Sequence, residues 1–340
     1  MSDNRKEISD AVGGVLAANP GSWTDLADLG FTGLAVPEEL GGSGGDLRDA
    51  AVVVAEAARH CAPLPIAEAL FLAAPMMRVT ALDWPAGVVT AAVGSLTASA
   101  DSRITGALPG VPWLRDADYL VTLVRTEGRQ AVAVLRTGAP GLTIEPGTNL
   151  AGEHRDSAIL AAVVPEHLVL VPHGEPDWAA VVELLGAAAR SVQIGGAARA
   201  VLELAAQHAG QRVQFGRTLD KFQAVQQLLA KLAADTATVT VAADAAVLAL
   251  EPWTRGAELL TASAKAEASS LAMSIAATGH QIHGAIGYTA EHRLGEYTKR
   301  LWSWRQEHGN ELHWHRRIGR LIDDADGQLW PLITNTEGSA

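Results

Sequence analysis

The sequence predicts an α+β chain in three parts: N-terminal helices, a central β domain and a C-terminal helical bundle. Three observations predict it. Apolar residues recur at three- and four-residue spacing in both outer parts of the chain, as on one face of a helix. Between them, from Gly87 to about residue 172, the texture changes to short β-rich runs separated by Gly, Pro and charges. The 340 residues are enough for two or three domains sharing a sizeable core. The expected boundaries are 1–86 for the helical domain, 87–172 for the β domain, 173–330 for the bundle and 331–340 for a polar tail.

In the first part, Trp23, Leu26 and Leu29 mark a short helix ended by Gly30. Leu34-Ala35-Val36-Pro37 reads as extended, because proline disfavours helical backbone before it. Gly41 to Gly45 reads as a flexible loop, and Asp46 as the cap of a helix reaching Cys61. A Gly-rich loop before a helix suits a phosphate, but the Walker spacing with its Lys is absent, so plain connection is the stronger reading. A further helix is expected from about Ile66 to Leu82.

In the middle part the strand candidates are Val88–Val93, Ile104, Tyr119–Val124, Ala131–Leu135, Leu142–Ile144 and Ala158–Val164. Their spacing reads as a small antiparallel sheet or barrel. From Trp178 onward four long helices are expected, at about 178–210, 219–250, 256–282 and 310–323, with a shorter one near 291–303. Their Ala-rich apolar stripes suit an antiparallel bundle. Arg212-Val213-Gln214-Phe215-Gly216 falls between the first two and reads as helix, tight turn, helix. That turn offers one cation and one aromatic, which suits an anionic, planar ligand. An Arg at a helix end also serves the helix dipole or a carboxylate, and residue chemistry by itself favours that role.

Composition removes several classes. Lys+Arg 26 against Asp+Glu 38 gives a net charge of −12, which argues against a nucleic-acid backbone as partner. The single Cys61 excludes an internal disulfide and a Cys-based zinc site. Six histidines crowd the last third, yet no His-x-x-x-His pair with a Glu faces one side, so no metal is expected. No run reads as long enough to span a membrane and no secretory segment opens the chain, so it reads as cytosolic and soluble. Trp302, Trp304 and Trp314 are expected in core and interface contacts.

Three stretches carry a resemblance. Arg212-x-x-Phe215-Gly216 followed by Phe222-Gln223, His280-Gln281-Ile282-His283-Gly284-Ala285-Ile286-Gly287-Tyr288, and Leu26 to Gly45 resemble motifs of the acyl-CoA dehydrogenase family, in the family's order. The resemblance implies a C-terminal four-helix bundle, FAD as cofactor, an acyl-CoA substrate and an oligomer built through the bundle. It places Arg212 at the flavin's pyrophosphate, Phe215 and Phe222 beside the adenosine half, and Gln281, Gly284 and Ala285 at the same edge of a neighbouring subunit's cofactor. Ala285 stands where the family has Gly. The middle domain departs further: Thr90-Ala91-Ala92-Val93-Gly94-Ser95-Leu96 keeps a Thr and a Gly-Ser but lacks the family's acidic residue and Asp. Trp113 is the remnant of its Trp segment.

The family's reaction needs a carboxylate to take the α-proton of the thioester. Counting about 27 residues on from Gln281 reaches His308, one past Glu307. Counting back about 26 from Arg212, the family's other position, reaches Gly186, with Glu183 a turn away. Two readings stay open. Either Glu307 serves as base through a one-residue shift, or the chain lacks a base and works beside a related acyl-CoA dehydrogenase subunit in a hetero-oligomer. A homo-oligomer, a flavin-dependent oxidase or monooxygenase of the same fold, and a non-catalytic scaffold are the remaining alternatives.

Overall fold

A computed structural model of the chain describes residues 3–251, 254 and 256–334. The chain divides into two compact units, one of residues 1–54 and 63–189, the other of 55–62 and 190–340. This differs from the expected cuts at 86 and 172, because the first helices and the β sheet pack as one unit. Helices α3 and α6, defined below, each run from one unit into the other.

The first unit opens with α1 (Asp3–Ala18), which buries Ile8, Val12 and Leu16 at four-residue spacing. α2 (Trp23–Asp28) is capped by Ser22, whose hydroxyl accepts the Asp25 N–H at 3.1 Å. The next segment corrects two expectations. Phe31–Gly33 forms a 3-10 turn and Leu34 remains helical at φ −58°, ψ −40°, since proline constrains only its immediate neighbour, Val36. Gly42 to Gly45 is not a flexible loop: their amides bond back to Pro37, Gly33, Val36 and Leu34. A Cβ on Gly42 would stand 2.1 Å from the Val36 carbonyl, so only glycine permits that approach. Asp46 does cap α3 (Leu47–Arg59): its carboxylate accepts the Asp49 N–H at 2.7 Å, and Asp49 returns the contact at 3.2 Å. α4 (Ile66–Glu68) widens into a π turn over Ala69–Ala73 just before Pro75, which has no N–H to give, and continues as α5 (Ala74–Val79).

Eight strands follow: β1 (Val89–Ala91), β2 (Ser95–Ala98), β3 (Ile104–Pro112), β4 (Tyr119–Thr126), β5 (Arg129–Arg136), β6 (Leu142–Glu145), β7 (Arg155–Val163) and β8 (His167–Leu170). They form one sheet in the order β6-β7-β3-β2-β4-β5-β8, with β1 also beside β4. The sheet is mixed rather than purely antiparallel, because β1 and β2 both run parallel to β4. β4 and β5 are nearly continuous apolar runs and lie buried, as strands covered on both faces must be. β2 and β8, four residues each with one and no fully buried position, escape the sequence pattern. Gln130 on β5 holds the start of α6 (Trp178–Gln211), its side-chain oxygen accepting the Trp178 N–H at 2.9 Å.

The second unit is helical and follows the expected spans closely: the remainder of α6, then α7 (Gln223–Leu250), α8 (Ala257–His283), α9 (Leu294–Trp304), α10 (Glu311–Asp324) and α11 (Leu329–Thr334). Small residues let the helices approach. Ala197, Ala198, Val201, Ala205 and Ala209 of α6 pack into a core with Leu232, Val239, Ala272, Ile275, Leu301 and Trp304. A Cβ on Gly196 would meet the Ala55 carbonyl at 2.3 Å. Trp304 and Trp314 are core residues, 2% and 1% exposed.

One expectation about membranes is corrected: α7 is long and apolar enough to cross one, with a mean hydropathy of 1.4 over its most apolar window. Its buried residues Leu232, Thr236, Val239, Ala243 and Ala246 recur at three- and four-residue spacing, the mark of a bundle helix packed along one face, and Val247, Ala249 and Leu250 are buried at its C-terminal end. Of the expected tail, residues 335–340 lie outside those described.

Candidate functional site

The second unit brings two of the sequence motifs to one end and sets the half-buried candidate base in a separate network of charges. α6 closes with the Arg212 N–H on the His208 carbonyl at 2.9 Å. The chain does not then turn directly into α7, as the apolar spacing implied. It makes a two-stranded ribbon, β9 (Val213–Gln214) and β10 (Arg217–Thr218), with Phe215 and Gly216 at φ 49° and 78°. Positive φ at both central positions is the hairpin geometry whose twist matches its strands. Phe215 is 91% exposed and meets Phe222 edge-on at 6.2 Å. Arg212 is exposed and makes no ion pair among the described residues. Arg217, which the sequence reading passed over, lays its guanidinium 4.1 Å over the Phe222 ring. Its place directly after a Gly at a chain reversal was the available signal.

The second motif ends α8. Gln281 and Ala285 are exposed, and a Cβ on Gly284 (φ 64°) would meet nothing within 4 Å. Gly287 has a packing role instead, with His283 2.9 Å and Leu294 3.0 Å from where a Cβ would lie. The two motifs meet through histidines. The His208 ring, one turn before Arg212, stacks on His283, two residues after Gln281, with centroids 4.8 Å apart. Arg212, Phe215, Phe222, Gln281, Gly284 and Ala285 therefore share one end of the unit. Among the described residues no group of three His, Cys, Asp or Glu is placed to hold a metal.

Glu307 lies in a different setting. Its carboxylate sits 2.8 Å from Nε of Arg190, whose side chain is 1% exposed. Beneath the same loop, the buried Lys265 ammonium donates to Ser269 Oγ at 2.8 Å, the Arg305 carbonyl at 3.0 Å and the Gly309 carbonyl at 2.6 Å. Burial, with Arg190 nearby, pushes Lys265 down to about 7. His308 takes a left-handed conformation (φ 52°), and its carbonyl accepts the Trp314 indole N–H at 2.9 Å. Asn310 caps α10 by accepting the His313 N–H at 3.1 Å, and Arg305 pairs with Glu311. Gly186 is a buried residue of α6, and Glu183 is half-buried with a partner of its own. Sequence reasoning missed Arg190 and Lys265, although Arg190 is the one charge between Glu183 and Arg199 in an apolar run.

In the first unit the edge carrying Thr90 is closed. The Thr90 hydroxyl is fully buried and donates to the Pro112 carbonyl at 2.6 Å, and Ala91 is 2% exposed. Trp113 is 8% exposed and tilts against His154 at 5.3 Å, while His154 contacts Asp116 at 2.5 Å. A cleft of about 190 Å³ remains beside Val93, Ser95, Leu96, Arg125 and Gln130.

Comparison with known proteins bears on the family and the fold. Residues 9–80 match the acyl-CoA dehydrogenase N-terminal domain and residues 179–311 the acyl-CoA dehydrogenase C-terminal domain. The chain is 35% identical over 284 residues to the acyl-CoA dehydrogenase IpdE2 of Mycobacterium tuberculosis, covering 82% of this chain and 79% of that protein. It is 30% identical over 337 residues to the acyl-CoA dehydrogenase FadE34 of the same organism, covering 92% of this chain and 44% of FadE34. A solved structure of the ChsE4–ChsE5 complex from Mycobacterium tuberculosis shares the fold, with a TM-score of 0.85, 22% identity and coverage of 95% and 98%.

Fold and matches together define a flavin-linked oxidoreductase. The chain belongs to the acyl-CoA dehydrogenase family, FAD-dependent enzymes that act on CH–CH groups. Its residues fit one half of that cofactor. The exposed Arg212, the aromatic pair and the open Gly284 suit the adenosine diphosphate half. At the sheet edge the Thr90 hydroxyl is committed to Pro112, and the family's acidic residue has no counterpart, while the exposed hydroxyls of Ser95 and Thr97 border the cleft.

Proposed function

We propose that this chain is one subunit of a hetero-oligomeric, FAD-dependent acyl-CoA dehydrogenase, completing a related subunit's flavin site without supplying the catalytic base. One observation carries this: the carboxylate nearest the family's base position, Glu307, is already held by the buried Arg190 at 2.8 Å. Removing the α-proton of a thioester needs a free carboxylate lone pair within hydrogen-bond reach. Here one oxygen of the Glu307 carboxylate is ion-paired with a buried guanidinium, which stabilises its charge and weakens it as a base. FAD, when bound, takes up the hydride leaving the β-carbon.

This chain's own part is binding. Arg212 would hold the pyrophosphate through its planar guanidinium. Phe215 and Phe222 border the adenosine, and Gln281 offers polar groups beside the open backbone of Gly284 and Ala285. Two relatives support a paired assembly: one structural neighbour is a two-protein complex, and FadE34 carries more than twice the length that this chain matches. The substrate is an acyl-CoA, and thioesters of straight-chain and ring-bearing acids are the ones to assay.

The test is Glu307→Gln in the complex co-purified from the native host. Turnover within about threefold of wild type is expected, because loss of a general base costs roughly 10²–10⁴ in rate. A collapse of that size with flavin content intact would make Glu307 the base and this subunit self-sufficient. A yellow homo-oligomer of this chain, with near one flavin per chain, would remove the partner altogether.

A further inference from the structure

Four histidines surround the segment that carries Gln281, Gly284 and Ala285, and none serves the chemistry above. His208 comes from the last turn of α6, His280 and His283 from the end of α8, and His292 from the loop before α9. His283 is the centre: His208 stacks on it at 4.8 Å and 29°, and His292 meets it edge-on at 4.7 Å and 68°. Its Nδ1 lies 2.8 Å from the Gly279 carbonyl, and a carbonyl only accepts, so Nδ1 carries the proton. The other nitrogen, Nε2, is then a bare lone pair, buried and without a partner among the described residues. His280 repeats the pattern. Its Nε2 meets Thr298 Oγ1 at 3.1 Å, its Nδ1 is buried and unpartnered, and Tyr288 stacks on its ring at 4.3 Å.

We infer that His208 and His283, with the His292 ring packed against them, form a proton-sensitive clasp that fastens the segment 281–292 to the end of α6 and opens when His208 or His283 is protonated. Adding a proton to His283 Nε2 would create a buried N–H with no acceptor, between two further imidazoles. The groups facing the clasp offer no relief. The residue after α6, Arg212, lies near His208, α8 supplies His280, and the turn lays the phenol of Tyr288 on the His280 ring. α9 supplies the uncharged Thr298 and Trp302, and Arg293 at its start is engaged on Tyr297 at 3.2 Å. The charged or chargeable groups bearing on His208, His280 and His283 are all cationic when protonated.

Burial first, with smaller contributions from neighbouring imidazoles, holds His208, His280 and His283 below the ordinary histidine value of 6.5, at His283 against the opposing pull of the Gly279 carbonyl. The sign follows. A lowered folded value favours the neutral ring, so the clasp's contribution is complete above about 6.5 and is lost as pH falls through the lowered values. That this segment meets a flavin rests on the function proposed above. The clasp does not, and its test contains no flavin.

Amide hydrogen exchange of the purified full-length chain, corrected for intrinsic rates, reads it between pH 7.5 and 5. Protection of residues 284–292 is expected to fall at least about tenfold, while the middles of α7 and α8 hold theirs. His208→Phe keeps a stacking ring and removes a titrating one. It should retain protection at pH 5 at least about threefold above wild type. His283→Gln, which can still donate to Gly279, should do the same. Protection in wild type that does not depend on pH would overturn the clasp, as would an equal loss in wild type and His208→Phe. Loss of flavin from an Arg212 variant bears only on the cofactor edge.

Discussion

Two regions of the same helical unit treat their charges in opposite ways. Around residues 305–311, Arg190, Lys265, Glu307, Arg305 and Glu311 face one another, and the backbone carbonyls of the loop are taken by Lys265 and Trp314. Around residues 212–222, Arg212 is exposed with no ion pair, and Phe215 is nearly wholly exposed. The resemblance reads a function into both places, yet the first turns its charges on one another while the second holds its cation and ring out to solvent. The difference teaches that a motif's position is a weaker guide than whether its polar atoms are still unengaged. Charges paired with one another hold a loop in place, whereas an exposed cation and ring leave groups for a ligand.

The largest expected effect breaks the first region. Arg190→Met strands the Glu307 carboxylate beside a buried apolar side chain, and removing one partner of a buried pair costs about 3–5 kcal/mol. Urea denaturation reads this as a lower midpoint at unchanged slope. The double variant Arg190→Met/Glu307→Leu should recover most of the loss, since an apolar pair of similar volume is often neutral. A cost below about 1 kcal/mol for the single variant would show that the pair does not hold the loop.

The second region should respond in the other currency, affinity rather than stability. Arg212→Ala is expected to leave the chain's unfolding midpoint unchanged, because the side chain is exposed and makes no ion pair. Flavin retention by the complex should weaken by about 1.5–3 kcal/mol, the range for a charge-assisted hydrogen bond. Arg212→Lys should restore part of it, because a point charge replaces the planar fork. Unchanged flavin in both variants would return Arg212 to the role of a helix-end cation.

How much of this was legible in the sequence follows from where each signal lies. The long helices were readable to within a few residues, because their apolar spacing is a local property of each segment. The ribbon at Val213–Thr218 was not, because its strands are two residues long and Phe215 is a poor announcement of a positive φ. The extended reading of Leu34–Val36 carried a proline's influence two residues too far. The Arg190–Glu307 pair joins residues far apart in the chain, so no window contains both. Arg190 stood out as a solitary charge in an apolar run, but its partner did not. Arg212, Phe215 and Gln281 were named from motif, and what the fold adds is their common end, fixed by the His208–His283 stack.

The smallest effect sharpens the comparison most, because there stability and function are set against each other at one side chain. Phe215 holds a left-handed backbone at φ 49° while 91% exposed. For an L-residue with a Cβ, that conformation costs about 1–2 kcal/mol. The contact it gains, an edge-on approach to Phe222 at 6.2 Å, is worth about 0.5 kcal/mol at such exposure, the low end for aromatic pairs. Strain wins, so the fold alone gives no reason for phenylalanine here. Asn before Gly216 is the favoured pair for this turn. Phe215→Asn should therefore raise the unfolding free energy by about 0.5–1 kcal/mol, read as a higher urea midpoint. If the aromatic is kept for a partner's adenosine, the same variant should bind flavin less well in the complex, while Phe215→Trp should keep the flavin and the strain together. A more stable Phe215→Asn complex with full flavin content would show that the exposed ring meets no cofactor, and the cationic half of the edge would have to stand alone.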